Sequence, residues 1–279
     1  MSHNRQKKMA VINDFCGFGR CSLTVSIPIV SALKVQCCPV PTSVFSNHTA
    51  YDSFFFTDYT AHMDAYIEEW KKLDLRFDGI LTGFLGSVEQ TEIVERFLKY
   101  FKEDTTVTVM DPVMGDGGSL YATYSPELAK KMKRLLPYAD ILTPNLTEAC
   151  ILTDTTYRAD MESDELVAVC EKLSEMGPKK IVISGLEKEG RLVNFVYEEG
   201  AEPVEVSGPK IGPSRAGTGD VFSSVIAADV VNGVSFLSAV RHAAVFIAKV
   251  LARAVELEIP PTDGICFEEF LSEITEGME

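Results

Sequence analysis

Short apolar runs alternate with amphipathic stretches along most of the chain. The strand-like runs are "MAVIND" (9–14), "VQCCPVPTSVF" (35–45), "FDGILTG" (77–83), "TTVTVMDP" (105–112), "ADILTPN" (139–145) and "KKIVISG" (179–185). Apolar residues at helical spacing lie between them, in 21–33, 65–73, 88–101, 127–138 and 164–176. Residues 191–208 predict a hairpin, and the last third is mainly helical, with 235–256 apolar on most faces and therefore buried.

Strands that alternate with helices predict an α/β fold whose parallel sheet is covered on both faces. No linker, low-complexity tract or repeat interrupts the 279 residues, so we expect one domain over 1–279. Ligands of such sheets bind beyond the carboxyl ends of the strands. Polar residues gather at the predicted ends, in 13–14, 43–49, 82–87, 111–116, 143–148 and 184–185.

Composition and charge narrow the classes of partner. The chain is 46% hydrophobic and 24% charged, as in globular proteins, and its net charge of −15 argues against binding to nucleic acid or anionic membranes. A small anion remains possible, because backbone N–H groups can hold a phosphate. Seven cysteines without a C-x-x-C pair, and no signal-peptide core or membrane-length apolar run, predict reduced thiols in a cytoplasmic protein.

The segment "GTGD" (217–220) carries the first chemical signal. Its glycines allow a tight turn, and a helix that begins there directs free N–H groups at one point, which suits a phosphate. The carboxylate of Asp220 beside these donors predicts a general base for an attacking hydroxyl. The alternative is that Asp220 is a plain N-cap.

Two further segments carry carboxylates. "MDPVMGDGG" (110–118) puts Asp111 at a strand end before a glycine-rich turn, which suits Mg²⁺ and phosphate, although a simple Asp-Pro turn gives the same pattern. "ILTPNLTEA" (141–149) puts Asn145 and Glu148 one helical turn apart, which predicts a capping box, a carboxylate that orders Mg²⁺ through water, or both.

The segment "VFSNHTAY" (44–51) is dense in hydrogen-bonding groups that suit a polar ring, with His48 as a candidate contact. The aromatic run "YDSFFFTDY" (51–59) follows it. So many rings in a loop predict a lid or a subunit interface.

Five motifs in order over almost the whole chain resemble the pyridoxal (vitamin B6) kinases of the ribokinase-like superfamily. They are "FSNHT" (45–49), "ILTGFLGSVEQ" (80–90), "DPVMGD" (111–116), "PNLTE" (144–148) and "GTGD" (217–220). The resemblance implies a three-layer αβα ribokinase-like fold and a homodimer. It also implies transfer of the ATP γ-phosphate to the 5′-hydroxymethyl group of pyridoxal, pyridoxine or pyridoxamine.

The same resemblance assigns roles to residues. Asp220 becomes the base, and Gly217, Thr218 and Gly219 form the anion hole, with Thr218 also contacting ATP. Asp111, Asn145 and Glu148 would lie near ATP and Mg²⁺, with Asp111 and Glu148 at the metal and Ser184 beside the nucleotide. Thr49 and Phe84, together with Val44 and His48, would form the pyridine-ring site. The family often uses K⁺ as well.

The chain departs from that pattern at Asp14, where many relatives carry Ser, and at Phe84, where many carry Tyr. We hypothesise that Asp14 pairs with the protonated pyridine nitrogen or with the 4′-amine of pyridoxamine. Residues 209–214 and 235–254 are candidates for the adenine site.

Three other functions stay open from the sequence. A hydroxymethylpyrimidine kinase of thiamine synthesis is the nearest, since it phosphorylates a similar group on a flat ring. A non-catalytic B6-binding protein would not need Asp220. A sugar kinase is disfavoured, because the chain lacks the extra β lid near the N-terminus.

Overall fold

The computed structural model describes residues 5–121 and 124–275, and within these ranges the chain forms eleven strands and eight α-helices. The strands are β1 (Lys8–Cys16), β2 (Gln36–Phe45), β3 (Phe56–Asp58), β4 (Gly79–Thr82), β5 (Val107–Met110), β6 (Gly115–Asp116), β7 (Ser119–Leu120), β8 (Ile141–Leu142), β9 (Lys180–Lys188), β10 (Arg191–Glu198) and β11 (Val204–Pro209). The helices are α1 (Leu23–Ala32), α2 (Thr60–Lys72), α3 (Val88–Phe101), α4 (Pro126–Met132), α5 (Leu146–Leu152), α6 (Ser163–Glu175), α7 (Thr218–Val231) and α8 (Phe236–Glu256).

The main sheet has the order β11-β10-β9-β8-β5-β4-β1-β2-β3. Its six strands from β9 to β2 are parallel, whereas β3, β10 and β11 pair antiparallel at the two edges. The predicted hairpin of 191–208 is therefore confirmed as β10 and β11. Strands β6 and β7 form a separate small hairpin.

Successive residues of the central strands enter opposite cores, as the two-residue period of a strand requires. In β1, Met9 and Val11 join the core under α1, α7 and α8, whereas Ala10 and Ile12 join the core under α2 to α6. The same alternation runs through the other parallel strands, so the sheet is covered on both faces. The predicted three-layer αβα arrangement is confirmed.

Two local predictions differ from the structure. The predicted helix 127–138 ends as α4 at Met132, and a separate 3-10 turn covers Leu136–Tyr138. Pro137 lacks the N–H group that an α-helix would need and restricts Leu136 before it. In the aromatic run, Phe56 pairs with Phe45 as part of β3, because the free edge of β2 offers backbone partners.

Helix α7 positions the site. Its N-terminus lies at the edge where the parallel strands end, and Ser224 in its middle donates a buried hydrogen bond of 3.0 Å to Ser26 of α1. All seven cysteines are free thiols, five of them buried. In the described part of the chain, no helix is both long enough and apolar enough to cross a bilayer.

Candidate active site

The turn that begins α7 requires glycine. Gly217 is the N-cap with φ of 76°, and a Cβ on it would lie 1.9 Å from the carbonyl oxygen of Arg20. Only glycine accepts this conformation and this approach together. Thr218 Oγ1 donates to the carbonyl of Arg215 at 3.0 Å and fixes the first turn. The first N–H groups of α7, which have no partner within the helix, are therefore held in a fixed position.

Asp220 lies in this first turn and is half-buried. Its Oδ1 accepts a hydrogen bond of 3.0 Å from Nδ2 of Asn13. Burial of the carboxyl group raises its pKa, whereas hydrogen bonds from the Ser22 backbone and Asn13, and attraction to His48, lower the pKa. A perturbed pKa in a cavity is typical of a functional site.

Asp111 follows β5 and lies beside this turn, since a Cβ on Gly219 would be 3.8 Å from its Oδ2. Burial is the largest cause that raises the pKa of Asp111 well above its ordinary value, and the negative charges of Glu148 and Asp220 raise it further. Hydrogen bonds to Ser223 and the Val113 backbone act in the opposite direction.

Glu148 is buried at the start of α5, and burial raises its pKa to about 7. Its Oε1 accepts from the Met114 N–H and its Oε2 from the Asn145 N–H, each at 2.9 Å. Asn145 completes the predicted capping box by accepting from the Glu148 N–H at 3.0 Å. Nδ2 of Asn145 donates to the carbonyl of Gly115 at 2.8 Å, so the capping box also anchors the hairpin of β6 and β7.

A cavity of about 630 Å³ joins these groups. Its walls include all eight residues predicted for catalysis and ATP binding: Asp111, Asn145, Glu148, Ser184, Gly217, Thr218, Gly219 and Asp220. Both predicted adenine segments also line it, the loop 209–214 and helix α8 through Ala244, Ile247, Ala248 and Leu251. The cavity thus has a charged end at α7 and an apolar end at α8.

The carboxyl groups of this cavity suit a cation that binds together with the ligand. Among the described residues, the largest influences on the pKa of Asp111, Glu148 and Asp220 include no Lys or Arg. The cavity's Lys210 pairs with Glu187 at 2.7 Å, and its Arg215 donates to the carbonyl of Ile259 at 2.7 Å. Mg²⁺ prefers a few carboxylates together with phosphate oxygens and water, so Asp111 and Glu148 fit it.

The residues predicted for the ring site lie outside this cavity wall. Asp14 at the end of β1 is 6% exposed, and burial, with repulsion from Asp220, raises its pKa to about 7 against a hydrogen bond to Ser22. Phe84 packs edge-on against Phe45, with 6.1 Å between ring centroids. The carboxyl group of Asp14 is therefore a buried acid that interacts with Asp220 and lies outside the cavity wall.

Three predicted ring-site residues are less enclosed. Val44 at the end of β2 and Thr49 in the loop after it are exposed. The His48 ring is half-buried, and its Nε2 lies 2.7 Å from the carbonyl oxygen of Thr262. Its Nδ1 accepts from the Ala50 N–H at 3.3 Å, so His48 ties its loop to the C-terminal segment.

Two residues at the site were not predicted. Asn13 contacts Asp220 directly, and its place in the polar strand end 13–14 was the only sequence signal. Arg215 is buried, and its Nη1 lies within hydrogen-bonding distance of the carbonyls of Ile259, Pro260 and Gly264. An arginine held by distant carbonyls leaves no pattern in the sequence.

The phosphomethylpyrimidine kinase family profile matches residues 27–262. The thiamine biosynthetic bifunctional enzyme of Arabidopsis thaliana is 35% identical over 189 residues, which cover 67% of this chain and only 35% of that enzyme. Pyridoxal kinase PdxY of Actinobacillus pleuropneumoniae is 30% identical over 225 residues, which cover 76% of this chain and 77% of that kinase.

Among solved structures, a Bacteroides thetaiotaomicron protein assigned as a phosphomethylpyrimidine kinase, in a crystal form with pyridoxal, superposes with a TM-score of 0.93. It is 39% identical, and the match covers 97% of this chain and 96% of that chain. The expected ribokinase-like fold is confirmed by this similarity.

Proposed function

The chain belongs to the phosphomethylpyrimidine kinase family, and on that premise we propose that it transfers the ATP γ-phosphate to the 5′-hydroxymethyl group of a vitamin B6 vitamer. The product is the 5′-phosphate, as in salvage of pyridoxal 5′-phosphate. The observation that carries the proposal is the position of Asp220. Asp220 lines a cavity that suits a nucleotide, and it also interacts with a buried acid outside the cavity wall, Asp14, that suits a basic ring.

Asp220 takes the proton of the substrate hydroxyl as its oxygen attacks the γ-phosphorus. The N–H groups of Gly217, Thr218 and Gly219 at the start of α7 stabilise the charge on the phosphoryl group in transit. Both act from one helical turn, so the base and the anion hole stay aligned with the reacting atoms.

Asp111 and Glu148 would hold Mg²⁺, which would supply positive charge that offsets the repulsion between triphosphate and carboxylates. Asn145 and Ser184 lie beside the nucleotide, and Thr218 contacts its phosphates. The adenine occupies the apolar end formed by α8 and the loop 209–214.

On the ring side, Asp14 pairs with a cationic group of the vitamer, either the pyridine nitrogen or the 4′-amine of pyridoxamine. Thr49 binds the ring's polar groups, and Phe84, with Val44 and His48 nearby, lines the ring. Kinetics of Asp14→Ser with pyridoxal and pyridoxamine test this assignment, and an unchanged preference between the two would contradict it.

Hydroxymethylpyrimidine is the second candidate substrate. The family profile and the thiamine-synthesis relative favour it, and the PdxY relative and the structure with pyridoxal favour a B6 vitamer. The two rings present the same hydroxymethyl group to Asp220. Only the ring contacts separate them.

The proposal includes a single kinase domain acting as a cytoplasmic homodimer, with Mg²⁺ required and K⁺ as a further cation. The exposed aromatic side chains of Phe54, Phe55 and Phe56 at the β3 edge support a lid or a subunit contact. Sedimentation of the purified protein, and assays in which Na⁺ replaces K⁺, test the dimer and the monovalent ion.

The deciding experiment measures ATP consumption with Mg²⁺ and pyridoxal, pyridoxamine, pyridoxine or hydroxymethylpyrimidine, for wild type and Asp220→Asn. We expect turnover of a B6 vitamer and a loss of about 10²–10⁴-fold in the variant. Turnover of the pyrimidine alone would replace the substrate. Binding of vitamers without turnover would replace the kinase with a binding protein.

A further inference from the structure

The Asn13 side chain joins three parts of the molecule. It is 4% exposed at the carboxyl end of β1. Its Oδ1 accepts from the Asp14 N–H at 2.9 Å and from the Phe84 N–H at 2.8 Å. Its Nδ2 donates to Oδ1 of Asp220 at 3.0 Å. One amide therefore contacts the backbone on both sides of the ring site and the carboxylate of the base.

These partners leave one orientation for the amide. Two N–H donors require an oxygen at their side, so the NH₂ group must face Asp220. The space is also tight, since a Cβ on Gly83 would lie 2.5 Å from both Cγ and Nδ2 of Asn13. The amide therefore can neither rotate nor move away without losing a buried hydrogen bond.

We propose that Asn13 is a positioning residue for the reaction, which orients the Asp220 carboxylate toward the ring site and keeps it ionised as the base. This inference rests on the proposed function, because it concerns the same carboxylate. Asn13 reaches no reacting atom itself. It acts through Asp220, and it couples the base to the Phe84 backbone that borders the ring.

The charged and titratable groups around Asp220 show why a donor is needed there. Asp14 and Cys16 interact with it from β1, Asp111 from the end of β5, and Cys21 from the loop after β1, whereas among the described residues His48 offers attraction. The charge of Asp220 also raises the pKa of Tyr121, although burial is the largest cause there. Without the Asn13 donor, burial would favour the protonated form of Asp220, which cannot accept a proton.

The test compares Asn13→Asp and Asn13→Ala with Asn232→Ala. Asp keeps an oxygen for both backbone N–H groups but turns the donor into a second carboxylate facing Asp220. Asn232 donates to the Leu33 carbonyl at 2.8 Å at the far end of α7, so its variant controls for the loss of a comparable hydrogen bond.

We expect kcat to fall about 100-fold in Asn13→Ala, as for misplacement of a reacting group, and at least as far in Asn13→Asp. The acidic limb of the kcat profile moves to higher pH in both. The KM for ATP stays unchanged, because Asn13 is outside the cavity wall. A merely structural role gives the opposite order, with Asn13→Asp close to wild type and Asn13→Ala impaired.

A second readout needs no substrate. In protein labelled with ¹³C at aspartate carboxyl groups, Asp220→Asn identifies the Asp220 resonance, and its titration midpoint should rise in both Asn13 variants and not in Asn232→Ala. If the midpoint rises but wild type phosphorylates no hydroxymethyl substrate, the proposed function fails together with the catalytic role of Asn13, and only the effect of Asn13 on the ionisation of Asp220 stands. If wild type is active and neither the midpoint nor the acidic limb moves, the inference is overturned.

Discussion

The proposed nucleotide and ring sides of Asp220 would recognise their ligands in different ways. On the nucleotide side, the cavity offers main-chain groups at the Gly217 turn and in the loop 208–216. On the ring side, the candidates are side chains, the Asp14 carboxyl group and the Phe84 ring. Main-chain groups recognise the charge of a ligand and little else. Side chains can be replaced by mutation one at a time, and each replacement can change which ligand binds. The difference separates the common chemistry from the choice of substrate.

Both sides bury carboxyl groups whose pKa is raised, but the charge is relieved differently. Asp111 and Glu148 share the cavity that suits a metal–nucleotide complex, which supplies its own cation. Asp14 must keep a proton or meet a cationic group of the ring. Changes on the nucleotide side should therefore affect every substrate equally, and changes on the ring side should sort substrates.

The strongest test of the main-chain side is Gly217→Ala. The new Cβ would collide with the Arg20 carbonyl and the residue would keep a positive φ, so the anion hole must shift. We expect kcat to fall by at least about 100-fold for all substrates. Gly233→Ala is the matched control, since φ is 95° there and nothing lies within 4 Å of the Cβ. Equal losses of kcat in both variants would mean that backbone strain, and not a displaced anion hole, causes the effect.

Asp111→Asn should come next. It removes one carboxylate from the cavity, so we expect kcat to fall about 10-fold or more and saturation to need more Mg²⁺, by the same factor for each substrate. Steady-state kinetics against Mg²⁺ concentration measure this. The control is Asp154→Asn, an exposed carboxylate paired with Lys133 at 2.7 Å. A change in preference between substrates would show that Asp111 also takes part in the choice of substrate.

Asp14→Asn should change the pH dependence of stability. Burial raises the Asp14 pKa from 3.8 to about 7, so the folded wild type loses stability as pH rises from about 4 to 7, by up to about 4 kcal/mol. The neutral amide avoids this loss. The difference in free energy of unfolding between the variant and wild type should therefore change in favour of the variant as pH rises from 4.5 to 8. Urea unfolding measures it.

Asp154→Asn again provides the control, because its partner Lys133 lowers the pKa of Asp154 and leaves it ionised throughout that range. Its difference from wild type should stay flat from pH 5 to 8. A flat difference for Asp14→Asn as well would mean that Asp14 is already ionised without cost.

Phe84→Tyr should have the smallest effect. The ring packs against Phe45 with room at its partly exposed edge, so a hydroxyl adds one polar contact for the ring of the substrate. We expect the KM for the vitamer to change by less than about 10-fold, or 1.4 kcal/mol, with the KM for ATP constant. Parallel changes in both KM values would show that the two sides are not separate.

Local patterns in the sequence determined much of this molecule. The two-residue and helical periods fix which faces are buried, so the three layers and most element positions could be predicted. The turn at Gly217, the carboxylate of Asp220 and the capping box of Asn145 and Glu148 involve residues within one turn of each other. The helix starts that these residues form follow from their local spacing.

The contacts between these local elements depend on the tertiary structure. Asn13 and Asp220 are 207 positions apart, and the Arg20 carbonyl that excludes a side chain at Gly217 lies on another loop. Strand β3 forms because the edge of β2 is free, and His48 turns toward Thr262. Such contacts depend on where parallel strands and helix ends converge, and no period in the sequence encodes a distance between elements far apart in the chain.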